Sequence, residues 1–128
     1  MNTYSDPLTL AHHLGQHDFG AGGDTHKLKG PAGYKGRVRH IELNKVTEAF
    51  TAVTTPAYIR IGDGSDADKY ADMSCGTTAI DAVDGPAASE LFNAEIAADE
   101  EPVVTFVAPT GGIPAGIGNV TVHIDWYK

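Results

Sequence analysis

Histidines crowd the start of the chain: His12, His13 and His17, with His26 beyond. On a helix, His13 and His17 would share a face at i, i+4, a spacing that suits zinc, which takes imidazole nitrogens as ligands. The glutamate of a zinc-protease motif is missing, and Gly15 interrupts any helix there. The residues therefore read as neutral surface or interface histidines. A second cluster is Asp63-Gly64-Ser65-Asp66-Ala67-Asp68, with Asp72 nearby. A calcium loop starting at Asp63 or Asp66 needs a glutamate at its twelfth position, and Ser74 or Thr77 stands there. A turn whose Asp side chains accept backbone N–H bonds accounts for the segment instead. Cys75 is the only cysteine. It has no disulfide partner and no nucleophile signature, and a lone cysteine behaves as a small core residue. There is no G-x-S-x-G elbow, and GPAGYKG lacks the Gly-Lys-Ser/Thr ending of a phosphate loop. Asp99, Glu100 and Glu101 read as a solvated turn. The expectation is no enzyme, no metal and no cofactor.

The elements that would position these residues are strands. In Val120, Val122, Ile124 and Trp126, alternating with Thr121, His123 and Asp125, one face is buried and the other wet. Trp126 anchors the core from this run, while Tyr127 lies on the polar register, where a tyrosine suits an interface. The run Val103–Ala108 is apolar on both faces and reads as a strand covered on both sides, inside a sandwich or at a subunit contact. Earlier candidates are the run from Gly36 to Leu43, Glu48–Val53, Tyr58–Ile61 and Met73–Ile80. The alternation slips by one between Val38 and Ile41, the mark of a bulge. Leu91–Ala98 fits a strand or a helix face. Short strands with turn signals between them predict an all-β sandwich or barrel, and about eight of them would allow a jelly roll.

Residues 1–35 look least like a core. Leu8, Leu10 and Leu14 suggest one helical turn, followed by Gly15 and the segments FGAGGD and GPAG. The reading is an extended, Gly-rich N-terminal arm (1–35) that orders against a partner or another copy, before a sandwich domain (36–128). Because the strands begin near residue 36, a chain shortened by residues 1–22 is expected to fold.

The formal net charge of −8 argues against general nucleic-acid binding. It is unevenly spread. Residues 1–45 carry six basic and four acidic side chains, whereas residues 46–128 carry three and thirteen. The basic stretch would face an acidic partner. No run of about 18 apolar residues exists to span a membrane. MNTYSDPLTL is not a secretory signal, and a single cysteine fits synthesis in a reducing cytoplasm.

Three stretches carry a family resemblance: GDTHKLKGPAGYKGRVRHIEL (23–43), TTPAYIRIGDGSDADKYADM (54–73) and the C-terminal TFVAPTGGIPAGIGNVTVHIDWYK. Together they resemble small structural proteins of tailed bacteriophages, of which head decoration (cement) proteins give the closest picture. The resemblance favours a strand over Leu91–Ala98 and a small jelly-roll-like β-sandwich. It implies a virion protein that binds the outside of the assembled head, with the major capsid protein as partner. Lys27, Lys29, Lys35, Arg37 and Arg39 are the candidate capsid contacts. Val103, Val107 and Tyr127 are the candidate interface between copies, with a homotrimer favoured and a dimer second. The competing expectations are a head-fibre base or tail-associated protein and, from another class, a carbohydrate-binding β-sandwich module.

Overall fold

The computed structural model describes residues 8–128. The seven strands are β1 (Leu8–Asp18), β2 (Asp24–Lys27), β3 (Lys35–Glu48), β4 (Tyr58–Gly62), β5 (Ala71–Ser74), β6 (Val103–Val107) and β7 (Ile117–Tyr127). They form two antiparallel sheets, ordered β1-β7-β3 and β2-β6-β4-β5. The fold is the expected all-β sandwich. An eighth strand is not formed among the described residues. At the far edge of β3, two isolated bridges stand in its place, Gly36 to Ile96 and Leu43 to Asp84.

Alternation builds the core. Val120, Val122, Ile124 and Trp126 of β7 are buried together with Ile41 and Leu43 of β3. From the other sheet come Ile59, Ile61, Met73, Val104 and Phe106. A β-branched or aromatic residue at every second position suits a pleated surface that is wet on one side only. β3 keeps its apolar side inward despite a register shift between Val38 and His40, where the sequence predicted a bulge. A bulge adds one residue to one strand and so restores the pattern after the slip.

The start of the chain corrects the expected arm. The described part of it is built into the sandwich, and residues 1–7 lie outside the described residues. β1 pairs with β7 from Leu8–Trp126 to Asp18–Ile117, and β2 pairs with β6. Phe19 and Leu28, from the connections after these strands, are buried at 0% and 4% exposure. Leu8, Leu10, His12 and Leu14 follow a period of two, not a helical turn. The polar His12 at an inward position hides that alternation, and the bulge between His13 and Gly15 ends it.

Three candidate strands are shorter than expected or absent. β3 ends at Glu48, and the segment after it bonds irregularly, Thr51 N–H to Ala115 O (3.1 Å) and Thr54 N–H to Thr110 O (2.9 Å). β5 stops at Ser74, after which Gly76 and Asp81 take positive φ. Leu91–Ala98 is neither strand nor helix; it follows one turn of 3₁₀ helix at Ala88–Glu90 and forms isolated backbone bridges to the sheets at Leu91 and Ile96.

Candidate interaction surfaces

The five basic residues singled out from the sequence divide into two groups. Lys27 closes β2 and Lys35 opens β3, so both flank the 28–34 connection between the sheets at one end of the sandwich. Lys29 stands on that connection. All three are exposed, and none forms an ion pair with a described residue. Arg37 and Arg39 are engaged within the fold. Arg37 donates to the Tyr127 hydroxyl (3.1 Å) and to Asn93 Oδ1 (2.6 Å). Arg39 pairs with Asp125 at 3.5 Å, a carboxylate that also accepts from Thr9 Oγ1.

Beside the lysines lies a cleft of about 270 Å³, bordered by Lys29, Tyr34 and the acids Asp99, Glu100 and Glu101, with Trp126 at its base. Its carboxylates serve the structure. Asp99 accepts the Gly33 N–H (2.7 Å), and Glu100 accepts the Tyr70 hydroxyl (2.7 Å) and the Ala97 N–H (3.2 Å). Burial and the Glu100 carboxylate push the Tyr70 phenol well above its ordinary range. Trp126 is only 1% exposed and offers no stacking platform. Gly30 lies against its ring so closely that an added Cβ would stand 2.6 Å from it.

The expected interface residues do not form one patch. Val104 and Phe106 point into the core, so Val103 and Val107 share the outer face of β2-β6-β4-β5. Tyr127 follows the buried Trp126 and lies on the outer face of the opposite sheet. Its hydroxyl donates to Glu95 (2.7 Å) while accepting from Arg37. β6 is an interior strand with β2 and β4 on its two edges. Its outward valines are half-buried beside these neighbours, so the apolar run does not by itself require a second subunit.

The histidines are separated by strand geometry. His13 points outward and meets Thr121 Oγ1 at 3.1 Å. His17 points inward, donates to Gly22 O (2.9 Å) and packs on Phe19 and Phe106, with ring centroids 4.7 and 4.9 Å apart. The i, i+4 zinc pair is thus split between two faces. Among the described residues, no three metal-ligating side chains gather. His40 and His123 face each other across β3 and β7 at 5.8 Å, a pairing visible only once the register is known.

The Asp63 turn is held by its own carboxylate. Asp63 Oδ1 accepts the N–H groups of Ser65 (2.9 Å) and Asp66 (2.7 Å), and Lys69 reaches Oδ2 at 3.2 Å. Those backbone bonds, aided by Lys69, hold the carboxyl well below the usual carboxylate range. Cys75 is fully buried, and burial pushes its thiol far up.

Sequence inspection missed the loop tips. Ile113 and Val53, 86% and 68% exposed, sit on the segments 108–116 and 51–57, which contain no charged residue. The two segments are tied by Thr54 and Thr55 to Thr110. No protein-family model, curated protein or solved structure matches this chain.

Proposed function

We propose that this chain is a structural protein of a tailed-phage virion that binds the outer surface of the assembled head and reinforces it. Its partner is the major capsid protein. The sequence resemblance supports this reading, as does the two-sheet antiparallel sandwich, which we read as a jelly roll with one edge strand reduced to two bridges, an architecture used in viral capsids and lectins. The observation that carries the docking mode is the trio Lys27, Lys29 and Lys35. These cations stand exposed at one end of an acidic molecule without ion partners among the described residues.

The mechanism is adhesive. Exposed lysines steer and orient the protein on an acidic capsid surface more than they add raw affinity. Many copies acting together make modest affinity per site sufficient.

The test mixes purified protein with mature heads that lack it. Saturable binding at a fixed ratio to the capsid protein is expected, weakening as salt rises, because exposed charges are screened over about 8–10 Å at ordinary ionic strength. Changing Lys27, Lys29 and Lys35 together to Glu should abolish binding with the fold intact. Undiminished binding by that variant, without a salt effect, would move the docking surface elsewhere, with the Val53 and Ile113 tip the next candidate. A wild-type protein that ignores heads and binds glycans would overturn the reading itself.

A further inference from the structure

A sheet edge presents unpaired N–H and C=O groups and invites another strand, so folded proteins shorten, charge or cover their edges. Three of the four edges here are managed in this way. β3 is bridged by Asp84 at Leu43, with reciprocal backbone bonds of 3.0 and 2.9 Å, and by Ile96 at Gly36, with bonds of 3.0 and 2.7 Å. β5 has four residues and is bridged by Leu91 at Ala71. β2 has four residues and carries Asp24 and Lys27.

β1 has none of these devices along most of its length. It is 11 residues long, and its only charged residue is Asp18, the last. It contains no proline, and before Asp18 no described residue makes a backbone bond to its outer edge. The bulge at Gly15 twists only its final part. The segment Leu8–His13 before the bulge is regular, and Leu14 is the bulge's extra residue.

We infer that the Leu8–His13 edge of β1 pairs antiparallel with the same segment of a second copy, joining two three-stranded sheets into one of six. A twofold pairing needs a self-complementary strand, and side chains directly opposite must share a face. The register centred on Ala11 places Thr9 opposite His13 of the other copy, Leu10 opposite His12, and Ala11 opposite itself on the axis. Every one of these pairs keeps its face. No charged side chain meets another within the segment. The small, exposed Ala11 leaves room at the axis.

This pairing does not depend on head binding and is read in solution. Light scattering across tens of micromolar protein, a range in which weak association becomes visible, should show twice the 13.4 kDa chain mass. Because each copy carries a net charge of −8, salt should strengthen the dimer, the opposite of its effect on head binding. Ala11→Lys places two like charges face to face on the axis and should weaken association by about tenfold or more. Ala11→Asp should do the same. An equimolar mixture of the two variants should dimerise again, which also shows that both fold. A monomeric wild type, or variants that dimerise as the parent does, would overturn the inference. So would a full chain that dimerises only after residues 1–6 are removed, since the edge would then belong to the chain's own start.

Discussion

The indole N–H of Trp126 donates to Nε2 of His12 at 3.3 Å, and the two rings meet edge to face, 72° apart in plane with centroids separated by 6.1 Å. The bond ties the last strand, β7, to the first, β1, across 114 positions of sequence. It fills the need of a buried indole for an acceptor. It also fixes the state of His12, because Nε2 can accept only when it carries no proton.

The Trp126 ring should dominate stability. Trp126→Ala is expected to cost about 3–5 kcal/mol, as for other buried aromatic truncations. Thr121, on the outer register and bonded only to His13, should cost far less as Ala. Gly30→Ala should also destabilise, by about 1–3 kcal/mol, because its Cβ would overlap the indole in a filled core. Urea melts of the three variants check the order. Equal midpoints for Trp126→Ala and Thr121→Ala would contradict the register of β7.

The His12 imidazole should make stability depend on pH. Burial, then the nearby His123 and His13, hold its pKa below the ordinary value of the unfolded chain, about 6.5. Between the folded and unfolded values the unfolded chain binds more protons, so stability rises with pH through that window. The contribution is complete above about 6.5 and is lost as pH falls through the folded value. His12→Gln keeps an acceptor but does not titrate. Its melting temperature should therefore climb less than that of the wild type between about pH 5 and 7. Parallel profiles would show that His12 is not held neutral.

Removing residues 1–22 should prevent folding. The deletion takes away β1, strips one edge of β7 and leaves the position of the fully buried Phe19 empty. Phe19 packs on Phe50 and Phe106, with ring centroids 5.2 and 5.1 Å away, and loss of such a ring alone costs about 3–5 kcal/mol. A soluble truncated chain with native β-sheet circular dichroism would show that the sandwich is complete without its first strand.

The class of fold, the strands at Tyr58–Ile61, Val103–Val107 and Val120–Trp126, the bulge after Val38 and the self-capped turn at Asp63 are legible in the residue pattern alone. All of these are local: alternation, β-branched runs and turn residues act over a few neighbours. That residues 8–28 belong to the sandwich emerges from long-range pairing. β1 is polar and glycine-containing, so it is ordered by backbone pairing with a strand a hundred residues away rather than by its own propensity. The same holds for surfaces. Lys27, Lys29 and Lys35 are alike in sequence to Arg37 and Arg39, but the arginines meet Tyr127, Asn93 and Asp125 once β3 and β7 pair. Val103, Val107 and Tyr127 share an apolar or aromatic character, yet the two sheets turn them to opposite sides. Which charges stay free and which sheet edge stays open depends on register and layer, and these are set by contacts between distant segments.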